Sequence, residues 1–518
     1  MKRRLLILVI FSILIVGCSG KGKHDINIAT TDRFSNIKDS ISKKIDNGDI
    51  PSLSVAVVEN GKIIWMESFG YADKENKIKA TPNTLYTIAS ISKTFTATGI
   101  MKLAESGKID LDADVEVYLD TLKLKYYTKS SNKVTCRNLL SHTSGLPMHF
   151  NYYYDDDILP LPDIIQTIDK YAFIVNPPSS KYNYANLGYG ILGKVITETT
   201  GKSFNNYMTE EIFSPMGMTQ TTLDISSKTK NKLAKRYDIK GNLIPFSFAD
   251  APGSANVSTT LEDLTHFGMF HLDIDSGNSS SLLSNKTILS MQQKQYPDNS
   301  NGRNTYGLGW FINDKDYKYK MVYHAGGMDG VDAMIRLVPE KNIVVVAISN
   351  QYTEYTHQIT EEILLEMIPD LKKVESILSQ ELKPESAEIK QRDLIGSWKG
   401  HIVADNKQTQ IELVFQEDGD IHVNIPAQFE SMILQTGRYE VNHKMLLNTW
   451  YFKNGQIRGW YKENIPGEHF LRCPQITTLN LDYKNEKLIG TAVALASSSN
   501  RMYYGISHYL ELEKQDGK

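Results

Sequence analysis

Cysteine is scarce in this chain: three residues in 518, Cys18, Cys136 and Cys473. That count excludes a disulfide-built scaffold, and without a Cys-x-x-Cys pair it excludes a thiolate zinc site too. Net charge is equally small. Lysine and arginine number 57 against 60 aspartates and glutamates, a balance of −3, which lacks the basic excess of a nucleic-acid binder. Internal repeats and long low-complexity tracts are missing. After the amino terminus no apolar run approaches the roughly eighteen residues of a membrane span. What remains is globular: 41% hydrophobic and 23% charged residues exclude a disordered chain, and the length implies two or three domains.

The first eighteen residues, MKRRLLILVIFSILIVGC, join a basic start (Lys2, Arg3, Arg4) to an apolar run from Leu5 to Val16. About twelve residues at ~1.5 Å each cannot cross a hydrocarbon core of ~30 Å. They fit a secretory signal peptide instead. Ile15-Val16-Gly17-Cys18 resembles a bacterial lipobox, which implies lipidation of Cys18. The expectation is an exported, lipid-anchored protein of the bacterial cell envelope, facing the periplasm or exterior. Residues 19–33 are expected to be a tether.

A hairpin is expected at 52–70, where Asn60-Gly61 supplies a two-residue turn between apolar runs. A second is expected within 334–349, and helices are expected after Ser90 and over 187–201. Strands at both ends with helices between them predict one sheet assembled from distant segments. Residues 370–393, rich in Lys, Glu, Ser and Gln, mark a linker with a helical part. From Leu394 short alternating strands with turn signals at Asp418-Gly419 and Asn454-Gly455 predict an antiparallel barrel or sandwich. Its tryptophans, Trp398, Trp450 and Trp460, are expected in the core.

A serine nucleophile needs an adjacent base, and Ser-x-x-Lys on a helix provides one because positions i and i+3 share a face. The pattern occurs at Ser35, Ser40, Ser90, Ser130 and Ser227. Only Ser90 follows an apolar stretch, LYTIA, and opens a run with buried character (Ile91, Phe95, Ile100, Leu103), where burial would favour a neutral, basic Lys93. Tyr184-Ala185-Asn186 and His324-Ala325-Gly326-Gly327 are further candidates, although Tyr-x-Asn recurs at Tyr483 and His-x-Gly at His266. His142, in LLSHTSGLP, is expected to stabilise a loop. There is no His-Glu-x-x-His and no Gly-x-Ser-x-Gly. Gly201-Lys202-Ser203 fails as a phosphate loop because Ile196 stands where a glycine is required.

IASISKTFTA, NLLSHTSGLP, YNYANLGYGILG, VSTTLEDLTHFG, YGLGWF and HAGGMDG occur in this order between residues 34 and 365. Together they resemble the serine β-lactamase and D-alanyl-D-alanine carboxypeptidase superfamily, in the branch of class C β-lactamases and related penicillin-binding proteins, esterases and peptidases. The resemblance implies an α+β domain over 34–369, an antiparallel sheet flanked by helices plus an all-helical region. A small C-terminal all-β barrel or lipocalin-like domain over 394–518 would follow it. It further implies Ser90 as acylated nucleophile, Lys93 as its proton acceptor and Tyr184 as proton shuttle. Which of Lys93 and Tyr184 is the base stays open. Asn186 would contact a substrate amide or Lys93, His324 and Gly326 would contact substrate, and the N–H groups of Ser90 and Gly327 would form an oxyanion hole. No metal or organic cofactor is implied, and the partners are a small peptide or ester substrate and the membrane.

One departure shapes the expected activity. Class C β-lactamases carry Lys-Thr-Gly where this chain has His-Ala-Gly, and a histidine of reference pKa near 6.5 is often neutral. Antibiotic hydrolysis is therefore demoted. The expectation is an acyl-Ser90 hydrolase of a peptide or ester, in particular a D-amino-acid peptide. An esterase, a weak β-lactamase or a penicillin-binding sensory module with little turnover are the alternatives.

Overall fold

A computed structural model describes residues 33–224, 226–272, 282–296, 305–371, 390–404, 406–424, 444–453, 455–462, 476–497 and 501–515. Cys18 with its signal and tether, and most of the expected linker, lie outside these residues.

Strands β1 (Ser52–Glu59) and β2 (Lys62–Asp73) form the first expected hairpin. Asn60 and Gly61 sit at φ 50° and 75°, left-handed values that these two residue types tolerate best. Strand β3 (His149–Tyr154) lies elsewhere. Strands β4 (Phe311–Asn313), β5 (Met321–Met328), β6 (Val331–Val338) and β7 (Ile343–Ser349) follow late in the chain. In space the order is Thr305–Tyr306, β4, β5, β6, β7, β1, β2, Ile78–Lys79, eight antiparallel strands drawn from both ends of the region. The β6–β7 hairpin is the second one expected. Its connection is a 3₁₀ turn, Pro339–Lys341, closed by Asn342 at φ 50°.

The helices that matter to the site and its support are α1 (Ser35–Asp46), α2 (Ser92–Glu105), α3 (Cys136–Leu140), α4 (Asn186–Thr200), α5 (Leu261–His271) and α6 (Tyr355–Met367). Alternation along β1 serves two cores. Leu53, Val55 and Val57 pack with Ile41 of α1 and Ile359 and Ile363 of α6, whereas Ala56 and Val58 pack with Leu264 and Phe267 of α5. Each fully buried aliphatic side chain contributes about 1.5–3 kcal/mol. Helix α2 runs through the middle of the second core and is buried at every position from Ser92 to Met101. Its Phe95 ring stacks on Phe267 with centroids 3.8 Å apart.

The C-terminal strands are β8 (Gly396–Ala404), β9 (Lys407–Phe415), β10 (Ile421–Asn424), β11 (Lys444–Met445), β12 (Trp450–Lys453), β13 (Gln456–Tyr461), β14 (Ile476–Lys484), β15 (Lys487–Ser497) and β16 (Met502–Lys514). They pair in the order β11-β10-β9-β8-β16-β15-β14-β13-β12, and β11 returns against β13. The result is a nearly closed all-β barrel. Trp398 and Trp450 fill its core, as expected. Trp460 does not: it is 42% exposed, because alternation along β13 turns Ile457 and Tyr461 inward and Trp460 outward.

The barrel sheet reaches into the hydrolase region through β3. One edge of β3 pairs with Ser247–Ala249, and the other with β16, matching His149 to Ile506, Phe150 to Gly505 and Asn151 to Tyr504. Ser507 Oγ donates to the Met148 carbonyl at 2.7 Å, and Arg501 grips both carboxylate oxygens of Asp156 at 2.8 Å.

Candidate active site

Ser90 lies in a 3₁₀ turn, Ala89–Ile91, that leads into α2. Ala89 is held at φ 43°, a left-handed conformation that costs a non-glycine residue about 1–3 kcal/mol. Surrounding contacts hold it. The Ile88 N–H donates to the Val257 carbonyl at 3.0 Å, and the Val257 N–H donates to Ser92 Oγ at 3.0 Å. The turn therefore cannot relax into the helix, and it presents the Ser90 side chain, which is half-buried.

One helical turn on, Lys93 Nζ lies 3.1 Å from Ser90 Oγ and donates to the Ser254 carbonyl at 2.9 Å. Lys93 is fully buried. Its nearest cation-accepting surfaces are the rings of Tyr184 and Tyr189, 4.9 and 5.7 Å from Nζ. Burial drives its pKa well below the ordinary lysine value, since a desolvated ammonium has lost its water without gaining a carboxylate. The group next to the serine is thus tuned towards the free amine.

Tyr184 closes the cluster. Its hydroxyl shares a hydrogen bond with Ser90, while burial raises its pKa and the nearby Tyr152 raises it further. The phenol is therefore held neutral. Asn186, the first residue of α4, donates from Nδ2 to the His149 carbonyl at 2.9 Å, and its Oδ1 is buried without a partner. It thus touches β3, and not Lys93.

His324 stands on β5, but it faces inward, 1% exposed, while Ala325 and Gly327 face out. Its Nε2 pairs with the Tyr306 hydroxyl at 2.9 Å and its Nδ1 lies 2.7 Å from the Ala325 carbonyl. Burial, then the charge of Lys93, pulls its pKa down to about 3. The Nε2 of this ring is thus engaged by Tyr306. Gly326 is explained by packing: a Cβ there would sit 2.0 Å from the Ile88 carbonyl. This close approach brings β5 beside the Ser90 turn. Beyond Tyr323, β5 has no partner on its β4 side among the described residues, so its Gly326-Gly327 edge runs open past the serine.

The other Ser-x-x-Lys serines are elsewhere: Ser35 and Ser40 on α1, Ser130 in a loop and Ser227 on the short helix Ser227–Lys230. Tyr483 belongs to β14 and His266 to α5. His142 is the residue that sequence reasoning undervalued. Its ring centroid lies 4.2 Å from that of Tyr184 and 4.7 Å from that of Tyr306. Tyr306 and the Ser254 carbonyl were not singled out either, since neither carries a signal of its own. A cleft of about 720 Å³ lies off this site, between the helical region and the barrel, with Lys181, Arg458 and Asp482 in its lining. Among the described residues no three His, Cys, Asp or Glu side chains are grouped to hold a metal ion.

A serine, a neutral-tuned lysine and a neutral tyrosine beside an open strand edge can support acyl transfer through a serine ester. The Beta-lactamase family model matches residues 37–365, and the chain belongs to that family of serine hydrolases. It is 29% identical over 351 residues to protein flp of Staphylococcus aureus, an alignment covering 65% of this chain and 67% of that one. Two solved structures share the fold. An octameric penicillin-binding protein homologue from Pyrococcus abyssi aligns over 92% of this chain and 99% of its own, at 22% identity and TM-score 0.56. A class C β-lactamase aligns over 66% of this chain and 98% of its own, at 22% identity and TM-score 0.55.

Proposed function

We propose that this protein hydrolyses a peptide or ester through an acyl-Ser90 intermediate, with a D-amino-acid peptide as the favoured substrate class. In this reading Ser90 Oγ attacks the carbonyl carbon and its proton passes to Lys93 Nζ. The oxyanion is met by the N–H groups of Ser90 and Gly327, donors of a kind typically worth ~2.7–4 kcal/mol. Tyr184 delivers a proton to the leaving group as the tetrahedral adduct collapses to the serine ester. Water then gives a proton to the Tyr184 phenolate as it attacks the acyl carbon, and the proton held on Lys93 returns to Ser90 Oγ as the acid leaves. Lys93 is favoured over Tyr184 as the base because burial leaves the amine unprotonated and free to accept a proton, while it keeps the phenol protonated and able to give one.

The observation that carries this reading is the 3.1 Å separation of Lys93 Nζ and Ser90 Oγ, with the amine fully buried. A neutral His324 supplies no fixed cation for a substrate carboxylate, which favours substrates held without a charged partner there. The test is intact-protein mass spectrometry with a fluorophosphonate or penicillin, coupled to turnover of a nitrophenyl ester. A stable adduct on Ser90 without turnover would replace the hydrolase by a penicillin-binding module. We further propose export and lipidation at Cys18. Cys18→Ser should leave the signal uncleaved or release the protein from membranes, and wild-type protein without an N-terminal lipid would refute the anchor.

A further inference from the structure

His142 brackets Tyr184 in the backbone. The N–H of the preceding residue, Asn183, donates to the His142 carbonyl at 2.8 Å, and the N–H of the following residue, Ala185, donates to His142 Nδ1 at 3.1 Å. Between these two bonds the imidazole lies on the Tyr184 ring, tilted by 34°. Ala185 caps α4 without any side-chain hydrogen bond of its own, so the histidine supplies from outside what the helix start lacks. Its Nε2 is buried without a hydrogen-bond partner, and its remaining contacts are the rings of Tyr182, Tyr189 and Tyr306. His142 is 1% exposed and occupies a left-handed conformation, φ 58°, which non-glycine residues adopt only under external constraint. Because Nδ1 accepts, the proton of the neutral ring sits on Nε2. Burial, Lys93 and His324 all disfavour the imidazolium that would abolish that acceptor.

We infer that His142 is a positioning residue that aims the Tyr184 hydroxyl at the leaving group by fixing the peptide groups on both sides of it. The inference rests on the role given to Tyr184 above. It does not make His142 a catalytic residue, since the ring is not placed against Ser90. Its effect should therefore be confined to steps that need Tyr184.

The experiment compares His142→Asn with His142→Gln. Asparagine places a carbonyl oxygen near the position of Nδ1 and can still accept from Ala185. Glutamine reaches past it towards the position of Nε2. Both are assayed on a D-alanyl nitroanilide, whose amine must be protonated to leave, and on a nitrophenyl ester, whose phenolate need not be. His142→Gln should lower kcat on the anilide by ~10–100-fold, the scale of a small misplacement of a reacting group, with KM little changed. On the ester its loss should be several-fold smaller. His142→Asn should stay within ~3-fold of wild type on both. In a Tyr184→Phe background His142→Gln should add nothing, as expected when one residue acts only through the other.

Equal losses on anilide and ester would overturn the inference, and so would an undiminished effect of His142→Gln in the Tyr184→Phe background. Should His142→Gln fail to fold, His142→Asn still decides: a loss as large as that of Tyr184→Phe overturns it. A Tyr184→Phe enzyme with wild-type anilide turnover would remove the Tyr184 role itself, and this inference with it.

Discussion

The catalytic sheet and the barrel are both antiparallel, yet they treat their edges in opposite ways. In the catalytic sheet β5 outruns β4, and the stretch past Tyr323, unpaired on that side among the described residues, lies against the Ser90 turn. In the barrel the strands nearly close back on themselves, and the start of β16 is spent on pairing with β3. An open edge offers backbone N–H groups to a ligand, whereas a closed one offers stability and removes a template for aggregation. The chemistry therefore sits in one domain. The other contributes a strand partner to β3, whose His149 carbonyl holds Asn186.

The sharpest separation of the two regions comes from Ser90→Ala. It should abolish covalent labelling and turnover with no more than a small change in melting temperature, while Ser35→Ala and Ser130→Ala leave labelling intact. Lys93→Ala should slow acylation by ~10²–10⁴, the usual range for a lost proton acceptor, as read by stopped-flow labelling.

Next in size is a cavity in the barrel. Trp398 is almost fully buried and donates from Nε1 to the Leu394 carbonyl at 2.8 Å. Trp398→Ala should cost ~3–5 kcal/mol. Differential scanning calorimetry should show the barrel transition falling, and activity should vanish with that transition, because β3 then loses its β16 partner. Activity surviving barrel unfolding would mean the catalytic sheet stands alone. A milder break is Gly505→Val. A Cβ at Gly505 would lie 2.3 Å from the Phe150 ring, so kcat should fall ~10-fold while the barrel transition barely moves.

The remaining effect is a pH slope. His324 in the catalytic sheet and His508 in the barrel are both buried and both depressed to about 3. Between about pH 3 and 6.5 the unfolded chain binds a proton that the folded chain refuses, so stability rises with pH in that window and is lost on acidification. Each group contributes a slope of up to ~1.4 kcal/mol per pH unit. His508→Gln should flatten the acid sensitivity of the barrel transition only, and His324→Gln that of the catalytic domain only. With His324 neutral from pH 5 to 9, neither substitution should change the shape of the activity profile in that range.

How much of this was legible depended on distance along the chain. Asn60-Gly61 announced its hairpin because turn chemistry is local. Ser90 stood out from four competing serines because an apolar sequence on both sides signals burial, and Lys93 is indeed fully buried. Trp460 was misjudged although alternation along its own strand carried the answer. His142 looked like a loop residue because the tyrosines around it, Tyr182, Tyr184, Tyr189 and Tyr306, are brought together only by tertiary packing. The β3–β16 seam was invisible for the same reason: no period or turn residue marks which edge a strand will find.

That seam also joins segments far apart along the chain. Arg501 and Asp156 are 345 residues apart, among the longest-range contacts in the molecule, and such contacts form late because loop closure must precede them. A growing chain that has emerged only as far as the linker already holds Ser90, Lys93 and Tyr184, but its β3 strand lacks its outer partner. Pairing of β3 with β16 therefore needs a far longer loop closed than its pairing with Ser247–Ala249.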